Sequence, residues 1–540
     1  MLKNKARLER AASPEEVGVS SKAIGELLDD FGTSGVEVHS LMIVRNKKVA
    51  YESWAFPFSA EMPHIMYSVS KSFTSIAIGF AIEEGLLSLD TKLVDVFPEH
   101  NDKSDEQLQK ITIYHLLTMT AGKSVSFLVD KTKNRWVEDY FNAQWKFAPG
   151  EGWEYISENQ YMLCAIIHKL TSQSVREYLM PRLFEPLGID YPFWETDKNG
   201  IEAGGWGLYI TTEDLAKVTL CMLDGGRFQG KQIIPESWAK YATSNLEDNS
   251  KSNFLPDSTA GYGASIWRNA GTNGFRFDGM FSQFGIAFED HDAVVVITAC
   301  EVDEQKTRDC LWRHFPKGFF DGEFQGEIIA APQLEALPEL PASKIRSSYT
   351  ELLSKKKIRT NAKLPLEIIN FPLSVLPIYP VYMSYDKAGY CTDFEFDFDY
   401  ENKICTMSWL EKDGRNTIRC GLDGKVEFSE MRLGAIDYTA SSTACWANDS
   451  TLLVWIRPLG AIGQRRFRFE FSPDGSVEMY PGSYQNLNDV AENLSLIFVP
   501  LAKTSVGKSA IYSSFKAVVP SLLEPKHSCK LVDREPEEDL

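Results

Sequence analysis

The first 330 residues alternate between strand-like and helical hydrophobic patterns. Residues 39–44 and 49–54 flank a polar tetrapeptide, and this pattern predicts a β-hairpin. From about 67 to 187 the spacing becomes helical, and between 261 and 300 short apolar runs again predict strands. Strands, then helices, then strands indicate an α/β domain of the α+β kind. Its antiparallel sheet is assembled from both ends of the segment, flanked by helices, and interrupted by an all-helical region.

Local signals refine this outline. Ser13, followed by Pro-Glu-Glu, is typical of a helix start and predicts a helix that runs to about Phe31. The glycines of 225–230 precede Lys231 with the spacing of a phosphate loop, but Gln232 stands where the magnesium-binding hydroxyl should be. We interpret that segment as a turn after a helix. The second group of predicted strands is 261–267, 275–279, 283–289 and 293–300.

The second half of the chain has a different pattern of hydrophobic and polar residues. Residues 394–400 and 466–471 alternate with period two, and Asp-Gly turns separate further short strands. We therefore predict a C-terminal all-β antiparallel domain over 345–500. The boundaries that follow are an α/β domain over 1–330, a Pro-rich linker over 331–344, and a polar C-terminal tail over 501–540.

The composition of the chain limits the classes of function that it can have. The 540 residues suit two domains, and 44% hydrophobic residues allow large cores. With 56 basic against 75 acidic side chains, the net charge is −19, which argues against nucleic-acid binding because phosphate recognition needs a basic surface. The nine cysteines show no metal or disulfide spacing, so we expect reduced thiols and a cytoplasmic protein. We expect no export signal and no membrane span, since the apolar run 76–82 is too short.

The chemistry-bearing feature is Ser68-x-x-Lys71. No H-E-x-x-H or G-x-S-x-G motif occurs, and the eight histidines show no metal spacing. Ser-x-x-Lys recurs by chance elsewhere, but Ser68 alone stands immediately before a long apolar helix. A spacing of three places both side chains on one helix face, and burial of Lys71 would lower its pKa so that a neutral amine could accept the serine proton.

A second cluster precedes another predicted helix. Tyr155 and Ser157 lie in the connection that leads into it, where the tyrosine could hydrogen-bond the serine. A nearby lysine would favour the phenolate form of Tyr155. The alternative interpretation of Tyr155 is a packed aromatic side chain.

These motifs resemble the serine β-lactamase and penicillin-binding-protein superfamily, most closely its class C-like, esterase and aminohexanoate-dimer hydrolase branch. The resemblance covers about 10–325 and depends on several segments in the same order. These segments are 12–19, 66–75, 113–122, 149–155, 204–215 and 223–235.

The resemblance implies a β-lactamase/transpeptidase-like fold and a set of roles. Ser68 would be the nucleophile, with Lys71 and Tyr155 as general base and acid. Ser157 replaces the asparagine of the family's Y-x-N motif. Phe277-Asp278-Gly279 falls on the third motif, and the amide of Met280 would complete the oxyanion hole with that of Ser68. The mechanism implied needs neither a metal nor an organic cofactor.

Phe277 stands where relatives carry the cation that binds a substrate carboxylate. We therefore expect a small-molecule substrate, a small ester or amide, hydrolysed through an acyl-enzyme on Ser68. Two alternatives remain: a β-lactamase or D,D-peptidase, and a non-catalytic binding protein on the same fold. Self-association of the chain and the role of the β domain stay open.

Overall fold

The computed structural model describes most of the chain. The described residues are 7–124, 135–190, 192–252, 256–324, 328–342, 346–361, 391–411, 414–434, 436–483 and 526–534. The chain divides into two compact units, Met1–Glu335 and Ala336–Leu540, so the division falls inside the Pro-rich stretch expected to be a linker.

Among the described residues, all helices except one lie in the first unit. They are α1 (Ser21–Ser34), α2 (Ser70–Glu83), α3 (Leu93–Val96), α4 (Ile113–Leu117), α5 (Trp136–Asn142), α6 (Glu158–Thr171), α7 (Val175–Leu179), α8 (Thr212–Leu223), α9 (Glu236–Thr243), α10 (Glu304–His314) and α11 (Thr350–Lys355). Within the described ranges, none of these helices combines the length and apolar character that crossing a membrane requires.

The strands of the first unit form one large sheet and several short ribbons. They are β1 (Glu9–Arg10), β2 (Val38–Arg45), β3 (Lys48–Trp54), β4 (His64–Ile65), β5 (Lys123–Ser124), β6 (Gln144–Trp145), β7 (Phe193–Trp194), β8 (Leu208–Ile210), β9 (Arg227–Phe228), β10 (Lys231–Gln232), β11 (Trp267–Arg268), β12 (Gly274–Gly279), β13 (Gln283–Phe288) and β14 (Ala293–Ala299). The large sheet has the order β1-β3-β2-β14-β13-β12-β11.

This sheet confirms the predicted fold class. β2 and β3 form the predicted hairpin, closed by Asn46 and Lys47 in the left-handed conformation that tight hairpin turns require. β14 pairs antiparallel with β2, so the two ends of the unit meet in the middle of the sheet. Apolar side chains of α1, α10 and the central strands bury one sheet face, and the helical region is inserted between β3 and β11.

Two predicted elements are wrong in extent. The helix predicted from Ser13 to Phe31 is a short 3₁₀ turn, Pro14–Val17, followed by α1, because Gly18 adopts the left-handed conformation between them. The strand predicted over 261–267 shrinks to β11. Ser265 has a φ of 62°, which is incompatible with a continuous extended strand.

Two local predictions agree with the structure. The glycine-rich segment after α8 is a turn that leads into the β9–β10 ribbon, with Gly225 and Gly226 both left-handed. All nine cysteines are buried free thiols.

The second unit contains one ten-stranded sheet. Its strands are β15 (Lys356–Thr360), β16 (Thr392–Asp399), β17 (Ile404–Glu411), β18 (Gly414–Gly421), β19 (Glu427–Leu433), β20 (Ile436–Asn448), β21 (Thr451–Pro458), β22 (Arg465–Phe471), β23 (Ser476–Ser483) and β24 (His527–Asp533). A parallel pairing joins β18, at one edge of the sheet, to β20, which is next to the opposite edge strand β19, and this pairing gives a barrel-like closure. Most of the expected tail lies outside the described residues, but β24 belongs to the sheet, between β15 and β23.

A buried ion pair lies on the inner face of this second sheet. The guanidinium of Arg465 donates to both carboxylate oxygens of Glu411, at 3.0 and 3.1 Å, and both side chains are almost fully buried. Trp409 Nε1 donates to the same carboxylate at 3.0 Å. Removal of one partner would leave an uncompensated charge in an apolar interior.

We therefore expect Arg465→Met to lower the free energy of unfolding by about 3–5 kcal/mol, measured by urea denaturation of the full chain. The matched control is Arg468→Met on the same strand, because Arg468 pairs with Glu470 at the exposed surface and should contribute less than about 1 kcal/mol. Equal destabilisation by the two substitutions would contradict this account.

Candidate active site

Ser68 lies in a strained turn at the start of the central helix. The 3₁₀ turn Tyr67–Val69 joins β4 to α2, and Tyr67 has a φ of 45°, a conformation that costs a bulky residue about 1–3 kcal/mol. The residue that precedes this turn is fixed to β8, because Met66 N–H donates to the carbonyl of Leu208 at 2.8 Å. Ser68 itself remains half-buried, so its hydroxyl is accessible.

Lys71 is buried beneath that hydroxyl. Its Nζ lies 2.8 Å from Ser68 Oγ and donates to the carbonyl oxygen of Gly205, also at 2.8 Å. The side chain is 1% exposed, because α2 is buried along nearly its whole length. Burial lowers the pKa of the Lys71 amine to about 7, and nearby Glu158 and Asp278 only partly oppose this effect.

The loop that carries Tyr155 is fixed by the segment before β5. Glu154 N–H donates to the carbonyl of Met119 at 2.9 Å. At Gly122, which is left-handed, an added Cβ would overlap the carbonyl oxygen of Phe147. Residues 113–122 and 149–155, two of the segments that carry the family resemblance, therefore pack on each other and position the tyrosine.

Tyr155 faces the serine–lysine pair from an aromatic cluster. Lys71 Nζ lies 4.7 Å from the centre of its ring, and its hydroxyl hydrogen-bonds Ser68. The ring packs on Trp267 at 5.1 Å and edge-on to Tyr262 at 6.2 Å. Burial raises the pKa of Tyr155, and its hydrogen bonds to Ser68 and Trp267 reduce this rise only in part. The hydroxyl therefore keeps its proton at neutral pH, unlike the phenolate expected from the sequence.

The side chains of the first two residues of the third motif are both buried. Phe277 is completely buried, and its ring lies 6.4 Å from that of Phe73 on α2. Asp278 accepts hydrogen bonds from Arg276 at 2.7 Å and Arg308 at 3.2 Å. Phe277 thus serves the core, and the Asp278 carboxylate is neutralised within an ion cluster.

Gly279 permits close contact between β12 and the serine turn. A Cβ at this position would overlap the carbonyl oxygen of Met66 and lie 3.3 Å from Val69 Cγ2. Met280 follows in the turn to β13, with its side chain 38% exposed. The structure therefore brings Gly279 and Met280 to the edge of the turn that contains Ser68.

Ser157 lies immediately before α6 and behind the lysine. A Cβ added to Gly205 would lie 2.7 Å from Ser157 Cβ, so the two backbones are in close contact. Since the Gly205 carbonyl accepts from Lys71, Ser157 borders the site through that glycine.

Two participants were missed by sequence reasoning. The carbonyl of Gly205 binds Lys71 across 134 residues of chain, and the indole of Trp267 hydrogen-bonds the Tyr155 hydroxyl. Backbone carbonyls carry no sequence signal. Trp267 could have been suspected only from its place near the end of a predicted strand.

This arrangement can activate a hydroxyl nucleophile. A neutral amine within hydrogen-bond distance of a serine can accept its proton. The tyrosine hydroxyl, which accepts from the Trp267 indole, has its own proton available to donate. An antiparallel sheet beside a buried helix that begins with such a serine–lysine pair defines a serine hydrolase of the β-lactamase type.

The sequence profile described as Beta-lactamase matches residues 22–312, more than half of the chain. The chain therefore belongs to the beta-lactamase family, and the predicted superfamily is confirmed.

Several known proteins are similar to this chain. An uncharacterized protein of Alkalihalophilus pseudofirmus is 28% identical over 254 residues, 43% of this chain and 70% of the relative. Lovastatin esterase of Penicillium rubens is 29% identical over 172 residues, 26% of this chain and 43% of the esterase. A solved Bacillus anthracis structure assigned as a 6-aminohexanoate-dimer hydrolase has 19% identity and a TM-score of 0.49, covering 58% of this chain and 89% of the other.

The lowered pKa of Lys71 predicts the pH dependence of Ser68 reactivity. Above about pH 7 the amine is neutral and can accept the proton, so the rate of fluorophosphonate labelling should rise through that pH and then level off. In Lys71→Arg the guanidinium stays protonated. Labelling should therefore slow by about 100-fold or more, and its rate should no longer rise with pH near pH 7.

The matched control is Lys123→Arg, at another buried lysine that instead donates to the carbonyls of Phe141 and Ala143. It should keep the pH profile of the unsubstituted chain. A labelling rate that does not change between about pH 5 and pH 9 would show that Lys71 is not the base.

Proposed function

We propose that this chain hydrolyses small, uncharged esters or amides through an acyl-enzyme on Ser68. The observation that carries the proposal is the 2.8 Å contact between Ser68 Oγ and the buried amine of Lys71. A lysine with a pKa near 7 can act as a base at neutral pH, whereas an ordinary lysine is protonated there.

The proposed reaction is a double displacement. Ser68 Oγ attacks the acyl carbonyl while Lys71 takes its proton, and a tetrahedral oxyanion forms. The amides of Ser68 and Met280 stabilise that oxyanion, a contribution of about 3 kcal/mol per donor in comparable sites. Tyr155 relays a proton to the leaving group, whose departure leaves the acyl-enzyme. Water, activated by Tyr155, then attacks the carbonyl carbon of the acyl-enzyme. The proton that it loses passes through Tyr155 and Lys71 to Ser68 Oγ, the Ser68 ester bond breaks, and the acid and free Ser68 are released.

The preference for an uncharged acyl group is supported by the charges around the site. By the family resemblance, Phe277 stands where relatives carry the cation that binds a substrate carboxylate, and its ring is buried against Phe73. Arg276 is bound to Asp278 and to the carbonyls of Arg268 and Asp257. Arg268 itself binds Glu289 and the carbonyl of Thr243. With both arginines engaged, a carboxylate-bearing substrate would have to break an existing ion pair.

The names of relatives are compatible with this proposal. The similar Penicillium rubens protein is named as an esterase. Other relatives are named as β-lactamases, so these names alone do not choose the substrate.

The nucleophile is tested by intact-mass analysis after fluorophosphonate treatment. We expect the full-length chain to gain one label and Ser68→Ala to gain none, because the reagent forms a covalent bond with an activated serine oxygen. Ser72→Ala is the matched control: Ser72 is buried on the same helix and donates to the carbonyl of Ser265. It should label like the unsubstituted chain.

Labelling that persists in Ser68→Ala would overturn the site assignment. A chain that is folded but takes no label would instead favour the non-catalytic binding protein.

The substrate class is tested by comparing two chromogenic compounds. Short-chain p-nitrophenyl esters should be hydrolysed with a kcat/KM at least about 100-fold above that for nitrocefin. A β-lactam of that kind presents a carboxylate, and in the part of the site that the structure describes Arg268 and Arg276 are already bound to acidic side chains. Fast nitrocefin hydrolysis without ester turnover would instead establish a penicillin-recognising enzyme.

A further inference from the structure

The turn between β12 and β13 has an unusual backbone. It contains Met280, Phe281 and Ser282, and the last two have φ values of 62° and 68°. Consecutive left-handed residues are common for glycine and asparagine but not for phenylalanine and serine. Such a backbone persists only where the surrounding structure holds it.

One buried side chain hydrogen-bonds two carbonyls of this turn. Gln283 is fully buried, and its Nε2 donates to the carbonyls of Phe281 at 2.9 Å, Met280 at 3.3 Å and Ala299 at 2.8 Å. Its Oε1 accepts from the N–H of Ala299 at 3.3 Å. A single carboxamide therefore ties the turn to the end of β14, the strand beside it.

Helix α10 holds the same turn from another side. Glu304 accepts a hydrogen bond from Phe281 N–H at 3.2 Å. The hydroxyl of Ser282 donates to that of Thr307 at 2.8 Å, and Thr307 is completely buried. Neither helix side chain contacts Met280, so they restrain the two left-handed residues rather than the amide itself.

The turn also contacts the strained residue before the nucleophile. The ring of Phe281 lies 5.3 Å from that of Tyr67, and Gly279 allows the strand end to touch Met66. The position of the Met280 amide relative to Ser68 is therefore set by the position of this turn.

We propose that Gln283 is a positioning residue that places the Met280 amide in the oxyanion hole, with Thr307 as a weaker second support. This inference rests on the proposed hydrolase function. Gln283 does not touch the reacting atoms; it acts on them through the Met280 carbonyl that it binds.

The test substitutes Gln283→Met, which keeps the side-chain length but removes both amide donors. We expect kcat for a p-nitrophenyl ester to fall by about 10- to 100-fold while KM changes by less than about 2-fold, because oxyanion contacts form mainly in the transition state. Inhibition by phenylboronic acid, whose tetrahedral serine adduct resembles that state, should weaken by a similar factor.

The matched control is Asn269→Leu. Asn269 is also buried, and it donates to the carbonyl of Ala287 on the same strand β13, at the end away from Ser68. The Asn269→Leu variant also loses a buried carboxamide, so we expect a lower melting temperature than that of the unsubstituted chain. When measured well below the melting temperatures of both variants, its kcat and its inhibition by phenylboronic acid should stay within about 2-fold of the values for the unsubstituted chain.

Equal kcat losses in Gln283→Met and Asn269→Leu would overturn the positioning role, as would a change in KM alone. If Gln283→Met does not fold, Thr307→Val tests the same turn, with a kcat loss of about 3- to 10-fold expected and an unchanged kcat overturning the inference. A failure of the proposed hydrolase function would be recognised before these variants are compared. In that case the unsubstituted chain would show no ester turnover, or a turnover that Ser68→Ala leaves unchanged.

Discussion

The burial of one amine governs the architecture of the candidate site. Lys71 sits inside a helix that is apolar on nearly all sides, where a charged ammonium would be strongly disfavoured. The Gly205 carbonyl and Ser68 Oγ satisfy the neutral amine, and no carboxylate forms an ion pair with it among the described residues. The pKa of the Lys71 amine is lowered only while the amine is shielded from water. This shielding requires α2 to lie in the centre of the unit, enclosed by the sheet and the inserted helices.

A second constraint is the close approach of two backbones beside that helix. The end of β12 can touch the serine turn only because Gly279 has no side chain. Left-handed residues at Tyr67, Phe281 and Ser282 concentrate conformational strain on the two sides of this contact. The buried hydrogen bonds of Gln283 and α10 offset the strain, so local geometry is determined by contacts from three separate elements.

Charge is arranged so that the site itself stays nearly neutral. Buried Arg276 and Arg308 are matched by two carboxylates, those of Asp278 and Asp257. The aromatic side chains of Tyr155, Tyr262 and Trp267 occupy the adjoining wall. An apolar site that retains one titratable amine suits acyl chemistry on neutral substrates better than recognition of an anion.

The sequence alone determined the fold class, the β2–β3 hairpin, the α2 helix and the serine–lysine pairing. These depend on periodicity and on spacing within a single helix, and such local interactions are readable along the chain. It misjudged the helix before Phe31 and the protonation of Tyr155. The predicted helix is interrupted at Gly18, whose left-handed conformation is determined by its surroundings. The protonation of Tyr155 depends on how deeply the side chain is buried. Only the tertiary structure decided that the Gly205 carbonyl binds Lys71, that Trp267 supports Tyr155, and that Phe277 belongs to the core. Those contacts join residues far apart in the chain, and desolvation exists only once the chain has folded around them.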